Sequence, residues 1–257
     1  PRNDFRIDVQ FTHPARNELG VLRPKIQDQD ALLHGRKGIA LLFRSALGVN
    51  ATFARKPNIC MPHLYPHLEG RRVVLASQSP RRRELMGLLG LDVECMSRDV
   101  DESWPPQVEG PGVAEFVACK KAEAYLDVLS GDDILITGDT TVVLEGRVLE
   151  KPENHTHARE MLRALSGKTH TVASAVAVTT LAQGTRCSLD LCNVTFAELP
   201  EAFIQSYVAT GSPMDKAGAY GVQDVMGLVG VTKLEGSFYT VMGMPTHKLH
   251  TLLLEAK

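Results

Sequence analysis

The sequence predicts an α/β fold built on a mixed sheet, with parallel and antiparallel strands together rather than a purely parallel doubly wound sheet. Three observations carry this. From Arg72 onward short apolar runs alternate with amphipathic stretches. Glu145 and Gly146 interrupt a strand-like run where a hairpin can turn. Long alternating, β-branched stretches then follow with little between them. At 257 residues, 44% hydrophobic and 23% charged, the chain can bury a sizeable core.

In order along the chain, "VVLA" (73–76) is a buried-strand candidate. Ser79 caps a helix that Pro80 opens, Leu85, Leu88 and Leu89 repeat at helical spacing, and Gly90 stops it. Residues 112–129 read as a second helix with Val113, Val117, Ala124 and Val128 on one face. "ILIT" (134–137) is a second buried strand, ending near Asp139, and "VVLEGRVLEK" turns at Glu145-Gly146. "HAREMLRALSG" is a helix ending at Gly167, residues 169–181 a long strand, and "NVTFAEL" (193–199) its neighbour. Pro200 opens another helix. A glycine-rich stretch (211–221), a strand near 226–234 and a closing helix from Pro245 complete the chain.

Composition excludes several classes. A net charge of −2 gives no general reason to expect nucleic-acid or membrane binding, and "IALLF" is cut short by Arg44 before it could span a bilayer. Five scattered cysteines without a C-x-x-C pair suit reduced thiols in a cytosol-like compartment and argue against a zinc site. Residues 1–72 hold 12 Lys/Arg against 6 Asp/Glu, while the remainder holds 16 against 24. Residues 1–70 therefore form a basic extension before an acidic body at 71–257. Its composition suits an organelle-targeting segment or a loosely ordered extension and assigns it no function; it lacks the interleaved aromatics of a nucleic-acid binder.

The chemistry-bearing residues fall in the body. Arg81, Arg82 and Arg83 load the first turn of a helix whose dipole favours carboxylates there. Either they are solvated surface residues, or dipole, N–H groups and guanidinium groups converge on a polyanion. The segment directly follows a buried strand, as phosphate loops do, without Walker glycines or lysine. Asp139 follows Gly138 at the rim of an apolar strand. Asp101 and Glu102 in "DVDES" could hold a hard cation, or simply form a polar loop. Lys121 interrupts an apolar helix stripe, Lys151 ends a hairpin before Pro152, and Gln223 closes the loop "DKAGAYGVQD", where its amide could read a base edge. Cations at 81, 82, 121 and 151 with carboxylates at 102 and 139 suit a polyphosphate and a metal.

These motifs, "LASQSPRRREL", "DVDES", "KKA", "TGDTTVVLEGRVLEKP", "LSGKTHTVASAVAV" and "DKAGAYGVQ", stand in the order and spacing of the Maf family of nucleoside triphosphate pyrophosphatases, which residues 73–255 resemble. The resemblance implies a two-lobed fold around a central cleft, related to the inosine triphosphate pyrophosphatases (the Maf/Ham1 fold). It implies hydrolysis to monophosphate and pyrophosphate with Mg²⁺ or Mn²⁺. The "AGAYGVQ" form resembles the dTTP/UTP branch rather than the 7-methyl-GTP branch, which remains the alternative, as does a non-catalytic nucleotide-binding regulator of cell division. By motif, Asp139 is the expected general base, with Glu102 and Lys151 beside it in catalysis. Ser77, Arg81, Arg82, Lys121, Thr140 and Gln223 are expected to bind substrate, and Glu102 and Asp139 the metal. The expected setting is cytoplasmic, with the nucleotide as partner, no nucleic acid, no membrane, and room for a homodimer. Ser174 replaces the family's usual threonine, and Asp224 its usual glycine beside the base reader.

Overall fold

The computed structural model describes residues 64–257; residues 1–63, most of the basic extension, lie outside them. Seven strands form one mixed sheet, β1 (Val73–Ala76), β2 (Glu94–Met96), β3 (Ile134–Leu144), β4 (Arg147–Leu149), β5 (Thr169–Thr180), β6 (Gly184–Phe196) and β7 (Val231–Glu235). The order is β2-β1-β3-β5-β6-β7, with β4 on β3. β1 runs parallel to both β2 and β3, and every other pairing is antiparallel. The helices are α1 (Pro80–Leu88), α2 (Gly112–Glu123), α3 (His155–Leu165), α4 (Glu201–Ala209), α5 (Val225–Gly230), α6 (Phe238–Met242) and α7 (Thr246–Leu254). α1 and α2 are the crossovers that the parallel strands require. No helix among the described residues is long and apolar enough to cross a membrane.

The mixed sheet and the hairpin follow the expectation. Glu145 (φ 51°) and Gly146 (φ 79°) make a two-residue turn with both residues left-handed, and Leu144 pairs Arg147 across it. Ser79 caps α1 by accepting from the Arg82 N–H.

Three local expectations are corrected. The strand beginning at Ile134 does not end near Asp139: it continues to Leu144, because Asp139 pairs Ala175 within a long antiparallel ladder to β5. The helix expected over 112–129 stops at Glu123; Tyr125 leaves helical geometry and buries its ring against Val74, Ala76 and Leu135, and a 3-10 turn follows at Leu126–Val128. The strand expected near 226–234 begins only at Val231, because Asp224 caps the short helix α5 through the Met226 N–H and buries Met226. β2 and α6 carried no readable pattern. In addition, Tyr65 and Leu68 pack into the core with α1 and α7, so the folded body starts before Arg71.

Two apolar clusters share one face of the sheet. One joins Ile134, Ile136, Val176 and Val178 to α1 and α7; the other joins Val142, Leu144 and Val172 to α3 and α4. Between them β3 and β5 present Gly138, Thr140 and Ser174, small or polar residues that pack neither cluster. α2 covers the opposite face, where Ala114 and Ala118 meet Ala173 and Ala175.

Candidate active site

The cleft arises from a break in strand pairing. β1 pairs β3 only over Ile134–Ile136, and β4 takes up the same edge only from Val142. Among the described residues no strand lies beside 137–141 on that edge, and their backbone groups need other partners. Arg82 is one. Its Nη1 donates to Gly138 O (2.8 Å) and Ser77 Oγ (3.4 Å), its Nη2 to Thr140 Oγ1 (3.2 Å), and its Nε to Gly243 O (2.9 Å). Burial lowers the Arg82 pKa from its ordinary value, an effect that Asp139 opposes. Gly138 is required here: a Cβ would stand 2.8 Å from the Ala175 carbonyl.

Helical geometry resolves the arginine run, because successive residues point about 100° apart. Arg81 faces the cleft and pairs with Asp215 (2.8 Å). Arg82 plugs the sheet edge, and Arg83 turns outward to donate to Cys95 Sγ (3.1 Å).

Asp139 projects from β3 toward α2, whose alanine contacts let it lie close to the sheet; Thr137 Oγ1 also donates to Ala118 O (2.8 Å). Lys121, on the last turn of α2, thus reaches Asp139 Oδ1 (2.8 Å) and Glu102 Oε1 (2.8 Å). Burial acts to raise the Glu102 pKa. The Lys121 hydrogen bond and the charges of Lys121, Lys151 and Arg82 outweigh it and leave the carboxyl below its ordinary value. Asp101 goes elsewhere: Lys120 (2.8 Å) and Ser103 hold it, and they keep its carboxyl well below the usual carboxylate range.

The far wall is the glycine-punctuated loop. The Gly218 N–H donates to Glu150 O (3.1 Å), which ties the loop to the exit of β4 beside Lys151. Gly218 is left-handed (φ +67°), and a Cβ there would meet the Val142 side chain at 3.0 Å. Tyr220 lines the cleft, its hydroxyl 2.7 Å from Nε2 of buried His170. Thr140 Oγ1 shares a hydrogen bond with Ser174 Oγ (2.8 Å), which donates to Thr240 O (2.6 Å), so the serine keeps the hydroxyl its position needs. Gln223 is exposed at the rim. Asp224 is turned away from the cleft, accepting from Tyr207 OH (2.7 Å) and Ser212 Oγ (3.2 Å).

The resulting cleft measures 410 Å³, within the range of small-ligand pockets. All of Ser77, Arg81, Arg82, Glu102, Lys121, Asp139, Thr140, Lys151 and Gln223 line it. Sequence reading missed Asp215 and Lys216, which line it too: Lys216 Nζ bonds Asp215 Oδ1 (2.6 Å), so one carboxylate joins Arg81 and Lys216 across the cleft. Their signal was an acid-base pair heading a glycine loop. Among the described residues no three His, Cys, Asp or Glu side chains cluster as metal ligands. Glu102 and Asp139, both against one ammonium, are a two-carboxylate donor set of the kind that holds Mg²⁺ together with substrate phosphates.

A family model described as Maf-like protein matches residues 72–256. The dTTP/UTP pyrophosphatase of Bacteroides thetaiotaomicron is 45% identical over 185 residues, covering 72% of this chain and 95% of that protein. The dTTP/UTP pyrophosphatase of Bacteroides fragilis (strain YCH46) is 46% identical over 185 residues with the same coverage. Among solved structures, the Staphylococcus aureus Ham1 protein superposes with a TM-score of 0.45 at 14% identity, over 73% of this chain and 100% of its own.

Proposed function

The chain belongs to the family of Maf-like proteins, and from that premise we propose that it is a nucleoside triphosphate pyrophosphatase acting on dTTP and UTP. The observation that carries the reading is the Lys121–Asp139 pair at the unpaired edge of β3, opening into a cleft rimmed by Arg81, Lys151 and Lys216. Hydrolysis of the α–β anhydride needs an aimed water and charge neutralisation on the leaving pyrophosphate.

Asp139 is the carboxylate placed to take the water's proton. Lys121 holds it in place, and because an ammonium has three donors, Glu102 and Asp139 leave one for a phosphate oxygen. Lys151 and Arg81, the latter bridged to Asp215, line the cleft where the phosphate chain would lie. Arg82 is spent on Gly138, Thr140, Ser77 and Gly243, so it acts on phosphate mainly by shaping the site. Glu102 and Asp139 would hold Mg²⁺ or Mn²⁺, which when bound neutralises phosphate charge and polarises the scissile anhydride. At the rim, the Gln223 amide offers an acceptor and a donor side by side, matching N3–H and O4 of uracil or thymine.

The test is hydrolysis of dTTP, UTP, CTP, GTP and 7-methyl-GTP with Mg²⁺ or Mn²⁺, reading monophosphate and pyrophosphate. Pyrophosphate from dTTP and UTP above the others is expected. Orthophosphate as first product, preference for 7-methyl-GTP, or nucleotide binding without turnover would overturn the reading.

A further inference from the structure

Apart from the cleft, the interface between α2 and the sheet carries two thiols that hydrolysis does not use, Cys119 on the helix and Cys187 on β6. The β5–β6 register pairs Ala177 with Cys187, so Cys187 stands on the same face as Ala173 and Ala175, the face that α2 covers. Its Sγ lies 4.0 Å from the Glu115 carbonyl of α2. Cys119 is one helical turn beyond Glu115 and so shares its stripe. The Glu115 carbonyl that Cys187 approaches is the one facing the backbone N–H of Cys119 in the helix, which brings the two residues together, and both side chains are partly exposed rather than sealed in the core. From this placement we propose that Cys119 and Cys187 are a redox pair, which peroxide converts to a disulfide stapling α2 to β6.

The chemistry assigns the two sulfurs different parts. The neighbouring Cys187 lowers the Cys119 pKa, while Cys119 and burial raise that of Cys187. Cys119 is then the better thiolate and Cys187 the protonated partner, the arrangement of an oxidisable thiol beside a resolving one. The Cys119 thiolate attacks hydrogen peroxide, the O–O bond breaks, and sulfenic acid forms with release of hydroxide. The Cys187 sulfur then displaces that oxygen, forming the S–S bond, and its proton leaves with the hydroxyl as water. Two thiols are oxidised and one peroxide is reduced to two waters. Capture by Cys187 stops Cys119 from advancing to sulfinic acid, and it does so on the helix whose Lys121 reaches Asp139.

The experiment treats the reduced full-length chain with dilute hydrogen peroxide, alkylates the remaining thiols and maps cysteine-containing peptides by mass spectrometry. A Cys119–Cys187 cross-link lacking two hydrogens is expected, reversed by dithiothreitol, with a Tm raised by several degrees in the oxidised form. Cys187→Ser should instead accumulate Cys119 sulfenic acid, trapped by dimedone, and Cys119→Ser should leave Cys187 alkylatable. The mapping of the unsubstituted chain decides the matter even if a variant folds poorly. Cys95, beside Arg83, is the internal comparison: its oxidation while Cys119 and Cys187 both stay alkylatable would overturn the proposal, as would a cross-link from either to another cysteine.

Discussion

Replacing Arg82 with alanine should cost the fold before it costs the phosphate. The side chain donates to two backbone carbonyls, Gly138 O and Gly243 O, and to the hydroxyls of Thr140 and Ser77, so its loss takes a charged donor from four acceptors on three separate segments. Hydrogen bonds from a charged donor contribute about 1.5–3 kcal/mol each, but these share one partly buried group and do not add. A loss of about 3 kcal/mol is therefore expected. For a folded body of this size that is a fall in Tm of roughly 6–12 °C. Thermal unfolding gives the stability, and titration with triphosphate and monophosphate the second readout. Because the defect lies in the shape of the β3 edge, both ligands should weaken by a similar factor. Arg81→Ala, which removes a cleft-facing guanidinium paired with Asp215, should weaken the triphosphate selectively and leave Tm nearly unchanged. An Arg82→Ala protein within about 1 kcal/mol of the parent, with loss confined to the triphosphate, would refute the assignment.

Asp139→Asn keeps an oxygen for Lys121 and should fold and bind nucleotide, with turnover down on the order of 10²-fold or more; near-parental kcat would remove Asp139 from the chemistry. Deleting residues 1–63 should leave hydrolysis intact. Deleting 1–70 also strips buried Tyr65 and Leu68 and the His67 bond to Leu253 O, a loss of about 3–6 kcal/mol visible as a lower Tm; equal stability of the two truncations would count against this. Gln223→Glu should shift kcat/KM away from UTP toward 7-methyl-GTP by roughly ten- to a hundredfold, since guanine presents two adjacent donors to the carboxylate. Asp224, held by Tyr207 and Ser212, does not interfere, and an unchanged ratio would mean that residue 223 does not touch the base. Buried His170 has its pKa lowered from 6.5 to about 4 by desolvation. The unfolded chain therefore binds a proton that the folded one refuses between those values, so stability falls as pH drops through that window, by about 3 kcal/mol in all. His170→Phe should flatten that part of the urea-unfolding pH profile, and an unaltered slope would show that His170 protonates freely in the fold.

The parts of this molecule readable in the sequence are those set by neighbours in the chain. Ser79-Pro80 starts a helix by local capping, Glu145-Gly146 turns a hairpin by local backbone preference, and residues 169–180 alternate because both faces of their strand are specified. The unreadable parts depend on what arrives from far away. Asp139 looked like a strand end because the apolar run stops there; the strand continues because β5 pairs it. Residues 225–230 are apolar enough for strand or helix, and the Asp224 cap decides. The site residues were legible one by one and their resemblance as a set was strong, yet their division of labour was not. Nothing in "PRRRE" says that its second arginine plugs a sheet edge while its first meets an aspartate 134 positions on.

β3 and β5 each run without interruption from one apolar cluster, past Gly138, Thr140 and Ser174, into the other. Two lobes joined in this way cannot swing like the halves of a clam, because every degree of opening would have to be taken up as shear or twist along an unbroken ladder. The jaws are set during folding rather than on encounter. Adjustment to a particular nucleotide is left to rim side chains and to the glycine loop that carries Gln223. If Gln223 reads the base and Asp139 the water, as proposed, recognition is rigid at the phosphates and pliable at the base, and substrate preference can drift by single replacements on that loop while the hydrolytic centre stays fixed in the sheet.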